Sequence, residues 1–120
     1  IRPEMVEALR RIGERMKTGC ITNNFTSNDA ATPGSLYKRD IMALFHHVIE
    51  SARAGLRKPD PRIYRMMTDA LGVAPDRCVY LDDLGINLKP ARQMGMKTIK
   101  VGAPGPALDE LESLVGFALR

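Results

Sequence analysis

Five side chains in this sequence have the types and positions that phosphate chemistry uses: Thr22, Asn23, Lys58 and the adjacent pair Asp82 and Asp83. Phosphoryl transfer needs neutralisation of charge spread over three oxygens, a positioned cation and a nucleophile held in line. A threonine hydroxyl can bond a phosphate oxygen, and a lysine ammonium places a point charge beside it. Adjacent carboxylates repel each other, and either solvent or a bound cation relieves that repulsion. Mg²⁺ suits such a pair, since it takes hard oxygen ligands and keeps several waters. The set supplies all of this except the nucleophile.

Each residue also has a plainer reading. Thr22-Asn23-Asn24 fits a strand-to-loop turn, where Asn is favoured. Lys58 precedes Pro59, as exposed loop lysines often do. Asp82-Asp83 can be solvated beside a helix N-terminus, although the apolar run 79-VYL-81 marks the end of a buried strand. Asn87 serves equally as a helix N-cap or as a site residue. His46 and His47 would point to opposite faces of a strand with no third ligand in view, which favours a structural role. Met66, Met67, Met94 and Met96 are expected to fill the core. No spacing supports a Ser-His-Asp or Cys-His arrangement.

The elements that must position these side chains alternate along the chain. Met5, Ala8, Leu9, Ile12 and Met16 recur at helical spacing, which predicts an amphipathic helix over residues 3–16 with Pro3 in its first turn. A short strand over 17–22 follows, and 26-TSNDAATPGS-35 is rich in turn formers. A helix over 35–44 and an extended segment over 46–51 come next. Pro61 opens a helix that Gly72 stops after Leu71. Then come a strand over 77–81, a helix over 87–94, a strand over 97–101 and a helix over 107–115. Strands alternating with helices predict an α/β fold, a parallel sheet covered on both faces. Ligands gather beyond the carboxyl ends of such strands, and Thr22, Asn23, Asp82 and Asp83 all lie there.

Bulk properties exclude several classes. One domain spans residues 1–120, with the composition of a soluble globular protein and no apolar run of membrane-spanning length. The net charge of +4 comes from scattered Lys and Arg with few aromatics, which argues against a nucleic-acid surface and suits a small anionic ligand. Cys20 and Cys78 stand far apart among apolar neighbours and read as reduced, buried thiols of a cytoplasmic protein.

The order 22-TNN-24, 57-RKPDPRIY-64 and 80-YLDDLGINLKPARQMGMKTIKV-101 resembles the later motifs of haloacid-dehalogenase-like hydrolases. It is most similar to the phosphatase-like domain of soluble epoxide hydrolases and the hydrolase-like domain fused to some acyl-CoA dehydrogenases. The resemblance runs over about residues 3–117 and implies a Rossmann-like core. By it, Thr22 and Asn23 would contact the transferred phosphoryl group. Lys58 would balance phosphate and nucleophile charge. Asp83 would be a Mg²⁺ ligand, Asp82 its auxiliary partner in catalysis, and Asn87 a support of the metal shell. The implied activity is a Mg²⁺-dependent phosphohydrolase acting through an aspartyl-phosphate on a small phosphorylated substrate, away from membranes and nucleic acids.

The chain departs from that family in one respect. The first motif, Asp-x-Asp-x-Thr, supplies the nucleophile and general acid/base, and nothing in these 120 residues matches it. The helical cap is absent too, so the chain resembles the C-terminal part of an incomplete core and is expected to be inactive by itself. In the family the first-motif strand lies between those ending at Thr22 and Leu81. Without it they would stand about 10 Å apart, and unpaired interior edges are costly. Two outcomes are expected: another segment or chain, including a second copy, fills the gap, or the two strands close on each other. Two other functions are weighed, a carbon–halogen hydrolase needing no metal and a non-catalytic phosphate- or partner-binding module. A receiver-type signalling domain is disfavoured, since there the acid pair comes first in the chain and lysine last.

Overall fold

In the computed structural model of the chain, residues 3–23 and 39–120 are described. Helix α1 (Pro3–Gly13) is followed by strand β1 (Gly19–Thr22), and a helical turn at 39–42 precedes strand β2 (His47–Glu50). Next come α2 (Ser51–Ala54), α3 (Pro61–Leu71) and a 3-10 turn at Pro75–Arg77. Strand β3 (Val79–Asp82), α4 (Gly85–Gln93), β4 (Lys97–Lys100) and α5 (Pro104–Val115) complete the chain.

The expected alternation holds, with shifts at the ends that have local causes. α1 stops at Gly13, short of residue 16, and the last turn closes by bonds such as Met16 N–H to Ile12 O at 2.8 Å. Ser51 starts α2, so the extended segment expected over 46–51 ends at Glu50. Pro75 begins a tight turn closed by Cys78 N–H to Pro75 O at 3.0 Å, which delays β3 to Val79. Helix α4 starts at Gly85 rather than residue 87, and α5 starts at Pro104, which suits a first helical turn. The helix expected over 35–44 is helical at 39–42 and otherwise lies outside the described residues, as does the turn-rich segment 26–35.

The strands pair in parallel. β1 runs beside β2 with Gly19 opposite His47 and Thr22 opposite Glu50, and β3 runs beside β4 with Asp82 opposite Lys100. Alternation along β3 then divides the core in two. Val79 and Leu81 pack with Ala8, Ile99, Leu108 and Leu111, beneath α1 and α5. Cys78 and Tyr80 pack with Ile63, Tyr64, Met67 and Ala91, beneath α3 and α4. Helices therefore cover both faces, as the alternation predicts. Ile63 and Leu108 are fully buried, each worth about 2 kcal/mol in apolar area removed from water.

Among the described residues the sheet is not continuous. Among the described residues β1 and β3 are not hydrogen-bonded to each other, and the strands form two separate pairs. Among the described residues the strands ending at Thr22 and Asp82 thus do not close on one another. Two further expectations are corrected. Cys20 and Cys78 are free thiols but only half-buried. Met67 and Met96 are buried at 7% exposure, whereas Met66 is 38% exposed because it lies on the outer side of α3. Among the described residues no helix is long and apolar enough to cross a membrane.

Candidate functional site

Lys58 sits on a short loop that is fixed at both ends. Upstream, Gly55 closes α2 at φ 71°, a left-handed conformation in which a side chain would be strained. Downstream, the Asp60 carboxylate caps α3 by accepting the Arg62 N–H at 3.0 Å, with Pro61 in the first helical turn. Arg62 also pairs with Asp60 at 2.7 Å and holds that half-buried carboxyl near 2, well below its usual range. The Lys58–Pro59 peptide is cis.

From this loop Lys58 bridges the ends of two strands. Its backbone N–H donates to Asn23 Oδ1 at 3.4 Å, just beyond β1. Its ammonium donates to Asp82 Oδ2 at 3.0 Å, the last residue of β3. The pair is largely withdrawn from water, with side chains 14% and 6% exposed. Asp82 Oδ2 also accepts from the Tyr80 hydroxyl at 2.6 Å and from Asn87 Nδ2 at 3.2 Å, while Oδ1 accepts the Leu84 N–H at 3.0 Å. Burial pushes the Asp82 carboxyl pKa up, but the Tyr80 hydroxyl, the Leu84 N–H and Lys58 together outweigh it and hold the group at about 2. Asp82 is therefore an anion at neutral pH.

Asn87 is buried in the first turn of α4, where its side-chain amide donates to Asp82 and its backbone carbonyl oxygen accepts the Tyr64 hydroxyl at 2.6 Å. It is not the helix N-cap; that position is Leu84, with no side-chain cap. Asp83 lies one residue beyond β3, is exposed, and takes no part in this network. Thr22 is half-buried at the end of β1 next to Asn23. The structure thus joins Asn23, Lys58, Asp82 and Asn87 directly, with Thr22 and Asp83 adjoining through the chain.

His46 is structural, as the sequence predicts: its Nδ1 accepts the Thr18 N–H at 3.0 Å and lies 3.1 Å from the Thr18 hydroxyl. Among the described residues no three His, Cys, Asp or Glu side chains come together to hold a metal. Asp83 offers one exposed carboxylate of the hard-oxygen kind that Mg²⁺ takes, whereas both Asp82 oxygens are already engaged. Asp83 fits as one ligand, and these residues do not complete a shell.

Sequence reasoning missed Tyr64 and Tyr80. Their rings meet edge to face, with centroids 5.2 Å apart and planes at 69°. The available signal was parity: two residues before Asp82, Tyr80 must share its side of the strand.

A family model for haloacid dehalogenase-like hydrolases matches residues 1–95. The chain belongs to that family. Mouse acyl-CoA dehydrogenase family member 10 is 39% identical over 120 residues, a match covering 98% of this chain and 11% of the mouse protein. Pig bifunctional epoxide hydrolase 2 is 39% identical over 117 residues, covering 96% of this chain and 21% of its own length. This family member therefore spans about a tenth to a fifth of those relatives. A family enzyme from Bacteroides thetaiotaomicron, solved with magnesium, superposes with a TM-score of 0.68 at 23% identity over 87% of this chain and 54% of its own. That likeness shows the fold, and another crystal of the same enzyme holds magnesium and inorganic phosphate. Phosphatases and dehalogenases both occur among the proteins this family member resembles.

Proposed function

We propose that this chain carries the phosphate-facing and metal-facing residues of a Mg²⁺-dependent phosphohydrolase. One observation carries the reading: Lys58, largely buried, is tied to Asn23 beyond one strand and to Asp82 at the end of another. Among the described residues its ammonium, with three donors, bonds only Asp82. The ammonium thus stands at the strand ends, where ligands gather in parallel α/β folds.

In this reading the Thr22 hydroxyl and Asn23 amide orient a phosphoryl group, and Lys58 offsets its charge. Asp82 holds Lys58 in place and Asn87 holds Asp82. Asp83 supplies one carboxylate to Mg²⁺, with Asn87 supporting the shell. The ion, when bound, would neutralise charge on the phosphoryl oxygens. Attack requires an aspartate outside these 120 residues, which contain no Asp-x-Asp-x-Thr. The 120 residues alone are accordingly inactive, and the parent protein would pass through an aspartyl-phosphate.

The test has two arms. NMR titration of the purified chain with inorganic phosphate is expected to move the Asn23 and Lys58 amides, and no movement would refute the site. Assay of an aryl phosphate with Mg²⁺ is expected to give no turnover, and turnover abolished in Asp83→Ala would refute the inactivity. The missing first motif also favours a second reading, an anion-binding module without catalysis. Phosphate-ester and 2-haloacid assays of the parent protein, with and without chelator, separate these readings from a dehalogenase.

A further inference from the structure

Asp82 Oδ2 is crowded. Three donors converge on it: the Tyr80 hydroxyl at 2.6 Å, the Lys58 ammonium at 3.0 Å and the Asn87 amide at 3.2 Å. With the Leu84 N–H on Oδ1, the carboxylate has four donors, three of them on one oxygen. The shortest of these contacts comes from a residue outside the proposed set of phosphate and metal ligands.

We propose that Tyr80 is a positioning residue for Lys58, acting through Asp82. The inference rests on the reading of Lys58 as the charge that faces an anion. The phenol O–H fixes Oδ2 from beneath, so the carboxylate cannot turn to follow the ammonium. The ammonium is thereby held at the strand ends. The phenol is braced in turn. Its ring stands edge-on to Tyr64, which is 1% exposed and whose hydroxyl is held by the Asn87 carbonyl at 2.6 Å. Burial, together with the Asp82 carboxylate, pushes the Tyr80 pKa up, which keeps the phenol a donor. A phenylalanine at this position would fill the same space and lose the O–H.

The experiment reads the ammonium itself. In the ¹⁵N-labelled chain, proton exchange of the Lys58 ammonium and of the Leu84 amide is measured by NMR in wild type and in Tyr80→Phe. Both are expected to accelerate about tenfold, the scale set by losing one hydrogen bond to a charged group. Amides of α3 should stay within about twofold, which separates a local effect from general loosening. A Lys58 rate unchanged in Tyr80→Phe, or accelerated only in proportion to α3, would overturn the proposal. A second measurement needs no variant: the Tyr80 hydroxyl proton in wild type should exchange slowly and show a cross-relaxation peak to the Lys58 side chain. A fast-exchanging hydroxyl would equally overturn it. Neither readout uses phosphate or turnover, so failure of the phosphohydrolase reading would show elsewhere.

Discussion

Asp82 and Asp83 are consecutive, yet Asp82 is 8% exposed and ion-paired with Lys58 at 3.0 Å, while Asp83 is exposed and outside that network. Strand geometry separates them: Asp82 is the last residue of β3 and shares the inner face with Tyr80, and Asp83 begins the connection to α4.

That difference predicts unequal mutants. Asp82→Asn leaves a buried ammonium without its counter-charge and is expected to cost about 2–4 kcal/mol of stability. Asp83→Ala should stay within about 0.5 kcal/mol, as exposed substitutions do. Urea unfolding of both proteins in the presence of chelator checks this, and equal midpoints would show that the pair is not divided as described.

The pH dependence follows from the depressed Asp82 pKa. A group whose pKa is lower folded than unfolded adds stability above its unfolded value and loses it as pH falls through the folded one. For Asp82 the window runs from about 3.8 down to about 2, and the contribution at neutral pH is on the order of 2 kcal/mol. The stability gap between wild type and Asp82→Asn should therefore be constant above about pH 5 and narrow steeply below about pH 4. A gap that persists unchanged to about pH 2 would contradict this.

Gly19 is set by packing rather than by backbone angle. A Cβ there would overlap Met67 Sδ and lie 2.9 Å from Met67 Cε. Since Met67 is buried at 7% exposure, Gly19→Ala should cost about 1–3 kcal/mol by overpacking. In Gly19→Ala with Met67→Ala the clash is removed, so the double mutant should cost less than the sum of the singles. Strict additivity in thermal unfolding would refute the contact.

Asp60→Ala removes the cap of α3 and should cost about 1 kcal/mol. Because Asp60 lies two residues from Lys58, the Lys58 N–H that donates to Asn23 should also exchange faster. Protection of that amide unchanged in Asp60→Ala would mean the loop does not depend on its cap.

Much of the fold was readable before any coordinates because its causes are local. Pro61 and Gly72 punctuate α3 at the expected residues, and apolar spacing locates the other helices within a few positions. Helix faces, strand parity and stop residues act over one or two turns, so a linear reading captures them. It also reached the motif residues, since Lys58-Pro59-Asp60-Pro61 and Leu81-Asp82-Asp83 are short runs. It misjudged Met66, whose burial depends on which side of α3 meets the sheet, and it left Asn87 divided between cap and site.

The sequence by itself determined an α/β chain of this hydrolase family with threonine, lysine and paired acids placed after strands. Only the tertiary structure decided that β1 and β3 remain unpaired, that Lys58 takes Asp82, and that two tyrosines stand beneath that bond. Lys58 and Asp82 are 24 residues apart, and Tyr64 and Asn87 are 23 apart. Such partnerships are chosen by how helices and strands pack in three dimensions, and no local preference along the chain encodes them.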